Sequence, residues 1–201
     1  VSLKIIAISN YSQFKLLSIL LYFSNIYLLQ DLTQIRVGVA VGILLLTIQD
    51  IIDRKFCSFV VKIAFATLFH YSTLIFLPFY FLKHNKINHK RYLYCFLLIC
   101  VIGSLKLFNI FTLLPFISGI NSRLMAYQLL QNTNQAQDVN LFNIVNGINV
   151  IILIYLLVNF NKIKVDNPYF IIVLKLYYYS VVMYFVFSTV PVLSGGLSEI
   201  F

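Results

Sequence analysis

Long apolar runs of the kind that form membrane helices recur along this chain, and that recurrence constrains its fold more than any other feature. They occupy residues 16–29, 35–52, 56–82, 92–114, 141–160 and 168–190. A hydrocarbon core about 30 Å thick takes about 20 apolar residues of helix at about 1.5 Å each. Backbone N–H and C=O groups find no water there, so such runs satisfy them internally as helix. Composition agrees, with 61% of the 201 residues apolar and 10% charged, whereas soluble domains hold about 45–50% and about 25%. A soluble globular domain and a disordered chain are thereby excluded. The expectation is an all-α fold: a polytopic transmembrane helical bundle of five to six membrane segments, forming one transmembrane domain over 1–201. The chain starts at Val1 without a basic leader and stops at Phe201 just after an apolar run, which reads as the C-terminal portion of a longer chain.

The charge balance of 15 basic against 6 acidic residues, +9 net, would point to nucleic acid in a soluble domain. Here the bases sit in the connections: Arg54-Lys55, the run 83–91 (KHNKINHKR) and 161–167 (NKIKVDN). Basic connections mark the cytoplasmic side, so the excess reads as topology and no nucleic-acid partner is expected. The amide-rich stretch 116–140, with Arg123 its sole basic residue, reads as extracytoplasmic. Cys57, Cys95 and Cys100 form no C-x-x-C pair and read as buried small hydrophobes. The acidic residues form no D-x-D or H-E-x-x-H pattern, and no glycine loop for phosphate is present, so neither a metal nor a cofactor is expected.

Counting crossings isolates one segment. Arg54-Lys55 and the run 83–91 both read as cytoplasmic, yet one ordinary span over 56–82 would separate them. The resolution is a broken or re-entrant segment. Two half-helices of about 12 residues reach about 18 Å each and would meet near His70, with Ser72 or Thr73 capping the second. Irregular backbone at membrane depth needs protein or a wet cavity around it, so a cavity is expected at His70. The Gly38-x-x-x-Gly42 pair reads as close helix packing.

On this topology Arg36 and Arg123 share the outer face. An arginine at the mouth of a span either snorkels to headgroups or grips a ligand. A guanidinium is a rigid, permanently charged fork that holds phosphate oxygens bidentately, so two outer arginines suit a lipid-linked diphosphate. His70 reads either as hydrogen-bonded packing or as a proton acceptor. Lys106, inside a span, is either a functional charge or a snorkelling stem. Tyr127 and the Gln/Asn-rich residues 121–140 read as a solvated loop or as a surface for sugar hydroxyls. The run Tyr177-Tyr178-Tyr179 is an aromatic face, and Lys175 reads as snorkelling.

The run Asp31-Leu32-Thr33-Gln34-Ile35-Arg36-Val37-Gly38-Val39-Ala40, then Arg54-Lys55, then Leu68-Phe69-His70-Tyr71-Ser72-Thr73-Leu74-Ile75, resembles the EpsG family, bacterial membrane proteins close to the Wzy-type polymerases of O-antigen, capsule and exopolysaccharide. The tail 187–201 is similar to that family's end motif, with Gly196 where the family usually carries arginine. The resemblance implies a metal-independent glycosyltransferase of the bacterial inner membrane. It would polymerise undecaprenyl-diphosphate-linked repeat units at the outer face, among membrane lipids, alongside the chain-length regulator and flippase of its pathway. Taken with the residue reading, the expected site is Arg36, Arg123 and His70 as catalytic, and Gln34, Ser72, Lys106, Tyr127 and Gly196 as substrate-binding. The alternatives are a flippase of lipid-linked oligosaccharide and a non-catalytic membrane partner, the latter favoured by Gly196.

Overall fold

The computed structural model describes residues 1–83, 87–104, 143–163, 167 and 169–187. Among these residues there is helix and no strand. The elements are α1 (Ser2–Tyr11), α2 (Lys15–Leu21), a π-helix (Tyr22–Leu32), α3 (Ile35–Asp53), α4 (Phe56–Phe69), a 3₁₀ helix (Tyr71–Phe81), α5 (His89–Ser104), α6 (Ile144–Val158) and α7 (Phe170–Val186). By length and composition α3 qualifies as a membrane-crossing helix, and the other apolar helices among the described residues are shorter. Large apolar side chains face outward, Leu16 at 86% and Leu68 at 80% exposure among them. An apolar exterior of that kind marks a surface covered by lipid or protein.

Two units divide the chain, one built on Val1–Ile87 with Val165–Lys175 and the other on Asn88–Lys164 with Leu176–Glu199. In the first, α3 is the central element. Gly38, Ala40, Gly42, Leu44, Thr47, Ile48, Asp50 and Ile51 are all buried, more than one helical stripe, because α1 and α4 both pack on it. A side chain at Gly42 would meet Leu3 Cβ at 3.1 Å, so the predicted close packing is real at that position: α1 rests on glycine backbone. The Tyr11 hydroxyl donates to the Leu45 carbonyl at 2.9 Å and fixes the far end of α1 alongside the same helix.

The turn after α3 is tight. Arg54 adopts the left-handed conformation (φ 56°, ψ 35°), and the Lys55 N–H bonds the Asp50 carbonyl at 3.0 Å. Asp50 is itself buried, accepting from Ser58 Oγ at 3.0 Å and paired with Lys62 Nζ at 2.7 Å. This polar clasp ties the base of α4 to α3. At the exposed turn, the Asp53 carboxylate 3.0 Å from Lys55 Nζ holds that ammonium above its usual value through a hydrogen bond and Coulomb attraction.

In the second unit, Gly103 lets α5 approach α7 so closely that an added Cβ would lie 2.8 Å from the Phe185 carbonyl. Phe96 is fully buried there, with Tyr178 and Phe185 rings 6.2 and 6.1 Å away. The Tyr177 hydroxyl donates to the Asn149 carbonyl at 3.0 Å, so the aromatic run serves helix packing. Lys175, which belongs to the first unit, does not snorkel. It is 3% exposed and donates to the Lys83 carbonyl, because that carbonyl lies past the last hydrogen-bonded turn of the 3₁₀ helix. The cysteine expectation also needs correction: Cys57 and Cys95 are exposed and Cys100 is half-exposed, on helix faces that carry other outward apolar residues such as Phe56 and Leu98.

Candidate functional site

The segment 56–82 does turn back on itself. Helix α4 ends at His70, whose extended backbone (φ −150°, ψ 110°) breaks the helix, and the chain continues as 3₁₀ helix from Tyr71. Pro78 lies within that helix and contributes no N–H. The return is closed by Arg54, whose guanidinium donates to the Tyr80 carbonyl at 2.9 Å and the Leu82 carbonyl at 3.0 Å. The Tyr80 hydroxyl donates back to the Arg54 carbonyl at 2.9 Å. Both ends of the segment therefore meet at Arg54, and His70 is the tip of a hairpin.

Capping at the break differs from expectation. Neither Ser72 nor Thr73 caps an N–H there; no side chain does. Thr73 Oγ1 instead donates to the His70 carbonyl at 2.8 Å and lies 3.2 Å from Thr67 Oγ1. The end of α4 frees carbonyls rather than N–H groups on this side, so a hydroxyl three residues on serves as donor.

The hairpin tip stands beside the start of α3, and together they line an open pocket of about 510 Å³. Thr33, Gln34, Ile35, Arg36 and Val37 form one wall; Phe69, His70 and Tyr71 form the other. The volume falls within the range of small-ligand sites, about 300–1,000 Å³. Its polarity is one-sided. No carboxylate lines it, and among the described residues the Arg36 guanidinium, which is exposed, has neither an ion pair nor a hydrogen bond. Gln34 is the N-cap of α3 and makes no side-chain cap bond. The first N–H groups of a 19-residue helix thus open at the same place, where unsatisfied donors and the helix dipole both favour an anion. The His70 ring lies 5.6 Å from that of Tyr71, tilted by 31°.

Of the residues singled out in the sequence, Arg36, His70 and Gln34 come together in this pocket. Ser72, half-buried, follows Tyr71 but is not one of the lining residues. Arg123, Lys106, Tyr127 and Gly196 lie outside the described residues. Sequence reading missed Lys4 and Tyr22. The Tyr22 hydroxyl and Lys4 Nζ, the latter at 3.2 Å, both donate to the Asp31 carboxylate, immediately behind the α3 wall. Nothing local signals that cluster, because Lys4 comes from α1 and Tyr22 and Asp31 from opposite ends of the π-helix.

No curated protein and no solved structure matches the chain, and the model of the EpsG family matches residues 1–201.

Proposed function

Because the chain belongs to the EpsG family, a Wzy-type polysaccharide polymerase family, we propose that the pocket shared by Arg36, Gln34 and His70 is where a lipid-linked repeat unit reacts. The single observation that carries this is the convergence of a carboxylate-free arginine, an uncapped helix N-terminus and a histidine on one cavity. The substrate is a glycan on a polyprenyl diphosphate such as undecaprenyl diphosphate, and the site faces the outer side of a bacterial inner membrane.

The chemistry follows from these groups. An acceptor hydroxyl oxygen attacks the anomeric carbon of the growing glycan, the bond from that carbon to the diphosphate oxygen breaks, and the diphosphate departs with the electron pair. A diphosphate is a weak base, so its departure needs charge neutralisation more than a proton. Arg36 and the first N–H groups of α3 provide that charge. His70 takes the proton of the acceptor hydroxyl. The resulting imidazolium sits at the C-terminal end of α4, where free carbonyls favour a cation. Arg123 is the second arginine of the proposal, with Tyr127, Lys106, Ser72 and Gly196 as further substrate contacts. Membrane lipids and the chain-length regulator and flippase of the same pathway are its partners.

The test is glycan chain length in cells carrying Arg36→Lys or His70→Ala in the full-length protein. The expected result is a shift from long polymer to single-repeat product at unchanged protein abundance. Normal long polymer from both variants refutes the reading. Loss of the single-repeat product from the cell surface would assign transport in place of polymerisation.

A further inference from the structure

The wall that carries Arg36 is held from behind by a buried polar strut. Asp31, whose side chain is 6% exposed, accepts from Lys4 Nζ at 3.2 Å and from the Tyr22 hydroxyl. Lys4 is 2% exposed, and its ammonium lies 5.8 Å from the centre of the Tyr22 ring. The carboxylate is also pressed against α3, since a Cβ built on Gly38 would fall 2.5 Å from Asp31 Oδ1. Between Asp31 and Gly38 the chain consists of residues 32–37, and residues 33–37 are the α3 wall of the pocket. The contact of Asp31 with Gly38 therefore closes a loop whose outer edge is the proposed phosphate site.

Two properties of the strut bear on Arg36. The first is placement: α1 supplies the lysine, the start of the π-helix the tyrosine and its end the aspartate, so two elements converge on one carboxylate. Buried ion pairs contribute little net stability, but a geometry that satisfies all partners specifies one arrangement. The second is charge. Asp31 lies five positions before Arg36 in the chain, and a carboxylate without partners would compete with phosphate for the guanidinium. Lys4 and Tyr22 occupy it.

We propose that Asp31, held by Lys4 and Tyr22 against Gly38, is a positioning residue that sets the Gln34–Arg36 wall and keeps its own carboxylate away from the Arg36 guanidinium. The proposal rests on the functional reading above. It is tested with the full-length protein reconstituted in lipid, polymerising lipid-linked repeat units, with KM and kcat measured per folded molecule. On that basis loss of folded protein changes neither constant, whereas a displaced or neutralised Arg36 raises KM. Lys4→Met and Gly38→Ala, one freeing the carboxylate and one displacing it, are each expected to raise KM about tenfold with kcat within about twofold. The paired change Lys4→Gln with Asp31→Asn removes both charges and keeps a hydrogen-bonded pair. It is expected to return KM to within about threefold of the parent.

Unchanged KM in both single variants, where Arg36→Lys raises it, overturns the positioning role and leaves the site reading intact. Unchanged KM in Arg36→Lys as well overturns both. Should Lys4→Met fail to accumulate, Tyr22→Phe, which lacks a single hydroxyl, decides. A rise of about threefold is expected, and no rise overturns the proposal.

Discussion

Replacing Asp50 by asparagine isolates the electrostatics of the α3–α4 clasp, because the shape of the side chain and its bond from Ser58 survive while the charge is lost. Removing one partner of a fully buried pair costs about 3–5 kcal/mol. Here the burial is unequal: the Asp50 side chain is 6% exposed and that of Lys62 34%. The orphaned lysine still reaches the Leu46 carbonyl at 3.3 Å and, in part, water or headgroups, so the cost of Asp50→Asn falls to about 2 kcal/mol. Lys62→Met strands the more deeply buried partner and costs more, about 3–4 kcal/mol. Changing both removes both desolvation penalties, and the double variant is expected within about 1 kcal/mol of the parent. At about 2–4 °C per kcal/mol for a chain of this size, Asp50→Asn lowers the unfolding midpoint by about 4–8 °C. The assay is thermal unfolding of the purified full-length protein in lipid nanodiscs, all four proteins side by side. If the double variant lost as much as the two singles together, the two groups would not be coupled. The clasp would then not be what ties α4 to α3.

Three further outcomes follow from the packing. Gly42→Leu drives a side chain into Leu3 Cβ, 3.1 Å from where the new Cβ must sit, and should cost about 1–3 kcal/mol; a full-length variant with an unchanged unfolding midpoint would show that α1 is not seated on α3. Arg54→Gly relieves a left-handed residue, a gain of about 1 kcal/mol. It also removes two exposed guanidinium bonds to Tyr80 and Leu82 carbonyls worth about 1 kcal/mol each. The net expectation is a loss of about 1 kcal/mol, and a more stable variant would mean that those bonds do not close the hairpin. Thr73→Val removes the bond to the His70 carbonyl at nearly constant volume and should cost about 1 kcal/mol, with polymer length falling alongside because the His70 backbone is then free to move.

Much of the first unit was legible from residues alone. Helix α3 follows from an unbroken apolar run between polar residues, and its glycine pair reported a close neighbour. The hairpin over 56–82 was expected from charge parity, since bases at Arg54-Lys55 and again from Lys83 read as one side and ask for an even passage between them. The closing bonds from Arg54 to Tyr80 and Leu82 give that demand its physical form. What stayed hidden was contact at long separation. Lys4 meets Asp31 across 27 positions, and no periodicity predicts which buried lysine finds which aspartate. Likewise the π-helix Tyr22–Leu32 is invisible to an apolar count that scores α and π windings alike. The tip was expected near His70, and it lies there: α4 runs 14 residues to Phe69 and the helix breaks at His70.

The closed hairpin has a consequence for anyone mapping this protein by reporter fusion. Tags placed after Arg54 and after Lys83 should report the same compartment, however greasy the stretch between them. If they do, a hydrophobicity plot that scores that stretch as one passage through a bilayer would reverse the sidedness of every loop downstream, and with it the side on which the proposed reaction is sought.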